Sequence, residues 1–167
     1  MSRLNRTVSV APMMDCTDKH ERFFLRLISK NVLLYTEMIV SEAIDRGDKK
    51  KLLEFDMREK PVALQLGGSS PKLLGNAAHL GEEFGYDEIN LNLGCPSKKV
   101  QKNKFGACLM QEPKLVADCL SEMISKTSLP VCLLYTSPSP RDSWASRMAE
   151  SAWKKKGGGG GGGGGGG

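Results

Sequence analysis

Residues 86–110 read "YDEINLNLGCPSKKVQKNKFGACLM" and place a thiol where an apolar stretch stops. Asn90 and Asn92 alternate with apolar neighbours, and Cys95 follows Asn92 by three. Strand side chains alternate between faces, so the two asparagines share one. A thiol at the end of such a strand can serve as nucleophile or as acid. Acid work needs no lowered pKa, because an ordinary thiol titrating near ~8.5 stays mostly protonated at neutral pH. Buried packing, the commoner fate of a lone cysteine, is the competing reading. Lys98, Lys99, Lys102 and Lys104 then fall within seven positions, with Gly106 as a bend. Such density suits phosphate contacts, against the default of a solvated loop. Its place beside the thiol would let a bound polyanion present one group to Cys95.

Three other stretches could contribute. "SVAPMMDCTD" puts Pro12, Met13 and Met14 at a strand exit. Proline has a fixed φ and no N–H, so it ends the ladder and turns the chain. A flat ring could rest there on backbone groups and the two thioethers; an ordinary exit with core methionines is the plainer reading. "ALQLGG" buries Gln65, whose amide needs partners: a planar heterocycle with donors and acceptors, or neighbouring backbone. Glu37, in "YTEM", is either a site residue or a capping carboxylate.

The elements that must hold these groups alternate. "TVSVAPM", "NVLLYTEMIV", "PVALQLGG", "YDEINLNLGCP" and "LPVCLL" read as strands. Between them, "DKHERFFLRLISK" sets Phe23, Phe24, Leu27 and Ile28 on one helical face. "SPKLLGNAAHLGEEFG" is a helix with Ser70 as N-cap and Pro71 at its first position, and "EPKLVADCLSEMISKT" is another. Strands feeding helices predict βαβ units and a parallel sheet, either doubly wound or part of a (β/α)8 barrel. A whole barrel takes about 250 residues, and this chain holds about half of one.

The net charge of +5 comes largely from the end of the chain. Residues 132–167 hold five Lys/Arg and two Asp/Glu, leaving 19 basic and 17 acidic residues upstream. A domain so weakly basic binds nucleic acid through a local patch or not at all. Five cysteines without paired spacing, no secretory signal and no apolar run of spanning length point to free thiols, no membrane and a cytoplasmic setting. His20 and His79 lie far apart, and no metal is expected. Past Val131 periodicity ends. "CLLYTSPSPRD" is similar to one frame of a transposase-type sequencing adaptor, and three lysines then Gly157–Gly167 match an A-run and a G-run. Residues 132–167 are therefore expected to be a non-native or disordered tail, with a flexible linker as the alternative.

Taken in order, "SVAPMMDCTDKHERFFLRLISKNVLLYTEM", "PVALQLGGS" and "GYDEINLNLGCPSKKVQKNKFGACLM" resemble the N-terminal half of a tRNA-dihydrouridine synthase of the bacterial A-type branch. The resemblance implies an incomplete TIM (β/α)8 barrel of four to five βα units over residues 7–131, after a short extension at 1–6. It implies FMN, with NADPH as reductant, acting on a D-loop uridine of tRNA, position 20 or 20a being expected from the branch. Cys95 would supply the proton to C5 and Asn92 would hold the uridine. Pro12, Met13 and Met14 would contact the isoalloxazine and Gln65 its polar edge. Lys98, Lys99 and Lys102 would meet tRNA phosphate, in a loop closing over substrate. The departure is at the fifth strand: the family carries a flavin-binding lysine in a "PVTVK"-like run, and here "PVCLL" places Leu134 there. The chain as written is accordingly expected to bind FMN poorly and to be inactive alone. Another FMN-dependent barrel acting on a free pyrimidine, or a non-catalytic RNA-binding module, are the rival readings.

Overall fold

The structure is a computed structural model and describes residues 4–95 and 105–134. Five strands form one parallel sheet: β1 (Leu34–Tyr35), β2 (Ile39–Val40), β3 (Val62–Gly67), β4 (Glu88–Asn92) and β5 (Val131–Leu134). Between them run α1 (Lys19–Ile28), α2 (Ser41–Arg46), α3 (Lys49–Leu53), α4 (Pro71–Phe84) and α5 (Pro113–Lys126). Spatial order β1-β3-β4-β5 follows chain order, and β2 also pairs with β3. A doubly wound sheet reverses its order at a switch point. This sheet does not reverse, and its architecture is that of part of a (β/α)8 barrel.

β3 and β4 are buried at every position, as strands covered on both faces must be. Their register is Ala63↔Glu88, Leu64↔Ile89, Gln65↔Asn90 and Leu66↔Leu91. Leu64 and Ile89 face α4, where a Cβ on Gly81 would meet Ile89 Cδ1 at 2.6 Å and Leu64 Cδ2 at 2.8 Å. Glycine there lets the helix settle on the sheet. The opposite sheet face collects Tyr35, Gln65, Glu88, Asn90, Asn92 and Cys132, the polar minority of these strands. Pro71 opens α4 and Gly85 (φ 89°) closes it in the left-handed conformation. Ser70 stands at the N-cap as expected, although its hydroxyl makes no capping bond.

Three features depart from the sequence reading. The first strand is reduced to one bridge, Ser9 to Leu33, where Leu33 N–H donates to the Val8 carbonyl and Val10 N–H to the Leu33 carbonyl. The second strand is interrupted: Tyr35 pairs with Ala63 and Ile39 with Leu66, so four steps on one strand match three on the other. That extra residue is a bulge, and bulges re-aim side chains. The third departure is α1, whose apolar residues Phe24, Leu27 and Ile28 are exposed while Arg22 and Arg26 are buried. The arginines win the inward face because they find partners there. Arg22 Nε donates to Glu59 Oε2 at 2.6 Å and Arg22 Nη1 to the Thr17 carbonyl at 2.7 Å. Arg26 donates to the carbonyls of Glu59, Pro61 and Ser29.

The chain divides after Leu134, and every described element belongs to the first unit. Strand pairing therefore continues three residues beyond Val131. The rest of the expected tail, residues 135–167, lies outside the described residues.

Candidate active site

The C-terminal end of β4 sets the geometry of the thiol. Asn92 Oδ1 accepts from the backbone N–H of Gly94 at 3.1 Å and of Cys95 at 2.9 Å. This is an asparagine turn, in which a short side chain bonds backbone two and three residues on and stops the strand. The Cys95 carbonyl accepts from Ala107 N–H at 3.2 Å. Both backbone polar groups of Cys95 are thus held, with its side chain half-buried against the core.

Behind Asn92 runs a chain of buried amides. Asn92 Nδ2 donates to Gln65 Oε1 at 3.0 Å, and Gln65 Nε2 donates to Asn90 Oδ1 at 3.0 Å. Register brings them together: Gln65 on β3 lies opposite Asn90, with Asn92 two residues further on. Gln65 is only 1% exposed, so an unbonded amide there would be costly. Its backbone N–H is taken by Thr36 Oγ1 at 3.0 Å, at the bulge.

The same bulge carries Glu37 to the loop after the first strand. Glu37 Oε1 accepts the Asp15 N–H at 2.6 Å, where Asp15 holds φ 61°. Thr17 Oγ1 accepts from Met13 N–H at 3.0 Å and donates to the Met13 carbonyl. Pro12 is half-buried, and Met13 and Met14 are exposed on this anchored turn. Met14 and Glu37 line a groove of about 610 Å³ with Asp18, His20, Arg22 and Met38.

At the opposite end of the sheet face sits an ion pair. Arg6 Nε donates to Glu88 Oε2 at 2.7 Å and Tyr35 Oη to Glu88 Oε1 at 3.1 Å. Burial first, then the Glu88 charge, raises the pKa of both Tyr35 and the Cys132 thiol. The face is therefore layered along the strands, from carboxylate and arginine through neutral amides to a thiol at the C-terminal edge. Interior layers and a functional C-terminal edge are the pattern of barrel enzymes.

Of the residues singled out from sequence, Gln65, Asn92 and Cys95 form one hydrogen-bonded unit. Pro12, Met13 and Met14 sit on a separate anchored turn, with no hydrogen bond to that unit among the described residues. Lys98, Lys99 and Lys102 lie outside the described residues. Sequence reasoning missed Thr17, Thr36 and Ala107, and it gave Asn90 no role beyond sharing a face with Asn92. For Asn90 the signal was partial: an amide in an apolar strand needs partners, and only the β3–β4 register names Gln65 as one. Thr17 and Thr36 carried none, since their bonds depend on a turn and a bulge.

A parallel βα sheet with strands in chain order and a thiol at the carboxyl edge of a central strand defines a barrel-type α/β scaffold. The sequence model of the dihydrouridine synthase (Dus) family matches residues 9–135, and the chain belongs to that family. It is 58% identical over 124 residues to the tRNA-dihydrouridine(20/20a) synthase of Synechocystis sp., covering 74% of this chain and 37% of that protein. The Xanthomonas campestris protein of the same name is 57% identical over 124 residues, covering 74% of this chain and 37% of that one. That of Pseudomonas aeruginosa is 52% identical over 143 residues, covering 85% of this chain and 43% of its own length. The chain spans about two-fifths of the relatives it matches. No helix among the described residues is long and apolar enough to cross a membrane.

Proposed function

We propose that this chain is part of a tRNA-dihydrouridine synthase that reduces the C5=C6 bond of D-loop uridines, at position 20 or 20a as the relatives' names state. The observation that carries the reading is Cys95, fixed at the carboxyl edge of β4 by Asn92 on its N–H and Ala107 on its carbonyl. A group held on a strand end is placed more reproducibly than one on a free loop, as proton transfer to one defined carbon requires.

The described residues fit the ring end of a flavin. After their mutual bonds, Gln65 and Asn92 each retain one amide proton. Donors suit the carbonyl oxygens of an isoalloxazine or a uracil. The Pro12–Met14 turn offers two exposed thioethers and an anchored backbone. Leu134, opposite Asn92 on β5, offers no cation where the family carries lysine, which favours weak binding by this chain. The chemistry a bound reduced FMN, regenerated by NADPH, would supply here is a hydride for C6. Cys95 breaks its S–H bond to give the proton to C5, and solvent returns a proton to the thiolate. Asn92 fixes the thiol's backbone N–H, and Pro12, Met13 and Met14 would contact the isoalloxazine. Lys98, Lys99 and Lys102 neutralise tRNA phosphates while the uracil leaves its stack, an unstacking of about a few kcal/mol that is least in an already distorted loop.

The test is a chimera in which residues 1–131 are joined to the remaining part of the Synechocystis relative. It is expected to consume NADPH and form dihydrouridine on unmodified tRNA, and to leave free uracil unchanged. Turnover of uracil without turnover of tRNA would instead make the chain part of a free-pyrimidine reductase.

A further inference from the structure

We propose that Asn90 is a positioning residue for Cys95, acting through a chain of three amides whose polarity runs in one direction only. The proposal rests on the role given to Cys95 above, and it concerns a residue to which that reading assigns nothing.

The polarity follows from the backbone. The N–H groups of Gly94 and Cys95 can only donate, so the atom of Asn92 that meets both must be Oδ1. Its other end, Nδ2, can only donate, so Gln65 must meet it with Oε1. Gln65 then has Nε2 on its far side, and the residue beyond must supply an acceptor. Asn90 Oδ1 does so. Turning any one amide over would set oxygen against oxygen or N–H against N–H in a place that is almost dry. Gln65 is 1%, Asn90 2% and Asn92 7% exposed.

Packing alone does not call for this arrangement. Apolar side chains at three buried strand positions would fill the same face without desolvating three amides. What the amides add is orientation. An acceptor at position 90 locks Gln65, locked Gln65 locks Asn92, and locked Asn92 holds the turn that carries the thiol. Asn90 touches neither thiol nor ligand in this scheme. It acts five residues away from Cys95 by fixing which way an amide faces.

The experiment uses the 167-residue chain itself, without flavin or tRNA, and reads the alkylation rate of Cys95 by iodoacetamide with peptide-resolved mass spectrometry. Cys119, fully buried in the core, reports general loosening. Asn90→Leu, which removes the acceptor, is expected to speed Cys95 alkylation about fivefold or more relative to Cys119, the response to losing one buried hydrogen bond. Asn90→Asp, which keeps an acceptor toward Gln65, should stay within about twofold of the parent. Asn92→Ala, which also removes the bonds to the turn itself, should speed alkylation at least as much as Asn90→Leu, and the double variant should be no faster than Asn92→Ala alone, because both cut one chain. Equal behaviour of the Leu and Asp variants, multiplying effects in the double variant, or a Cys95 rate that merely tracks Cys119 would each overturn the proposal. Because no turnover is read, an inactive chimera with this alkylation pattern would sink the enzymatic reading and leave the positioning role standing. An active chimera without the pattern would do the reverse.

Discussion

Asn92 is where the local geometry converges, since it closes the strand, fixes the Cys95 peptide unit and ties β4 to β3 through Gln65. Truncating it strands two backbone N–H groups and the Gln65 oxygen. Asn92→Ala should therefore lower stability by about 1–3 kcal/mol, the cost of leaving buried groups unsatisfied, as read by urea unfolding. A loss below about 0.5 kcal/mol, typical of a surface substitution, would contradict these bonds. The Asn92 to Cys95 spacing was legible because both ends of the turn lie in one short stretch. The partner of Gln65 was not. A buried amide in "ALQLGG" announces that it needs partners, and only the β3–β4 register makes them Asn90 and Asn92. Glu37 stayed ambiguous for a similar reason: its bond to Asp15 exists because a bulge turns it toward a loop 22 residues earlier.

At the scale of elements, α1 shows how a periodicity can find a helix and leave its inward face undetermined. Phe24, Leu27 and Ile28 make an apolar stripe, yet Arg22 and Arg26 occupy the buried side and hold α1 to the Met57–Glu59 turn. The Arg22–Glu59 pair is almost fully enclosed, with side chains 7% and 2% exposed. Removing one member leaves a buried charge. Glu59→Ala is expected to cost about 3–5 kcal/mol, whereas Leu27→Lys should change stability by less than about 0.5 kcal/mol. Equal effects in thermal or chemical unfolding would contradict this orientation of α1. The strand-helix alternation, Pro71 at the first position of α4 and the buried character of β3 and β4 were all readable, because each is a local pattern. The break of the second strand was not, since a bulge depends on how its neighbour pairs.

For the molecule as a whole, the choice between a doubly wound sheet and a barrel could not be made from alternation alone, and strand order settles it. The buried and half-buried thiols and phenols carry a consequence for pH. Burial pushes the Cys119 thiol up to about 11. Cys132, Tyr35 and Tyr86 are also raised, each by burial first. A raised pKa means that the folded state keeps protons which the unfolded chain releases once pH passes about 9. This contribution to stability is complete below that pH and declines as pH climbs through the folded-state values. The urea midpoint should therefore fall between neutral pH and about pH 10.5, and a flat profile would contradict the burial of these groups.

The proposed reaction turns on one atom, the sulfur of Cys95. The most direct test is the rate at which the prereduced chimera converts uridine to dihydrouridine on unmodified tRNA in a single turnover, with and without Cys95→Ala. Loss of a positioned general acid predicts a rate lowered by about 100-fold or more, with tRNA affinity unchanged. An alanine variant that reduces uridine at the parent's rate would contradict the claim that this thiol delivers the proton.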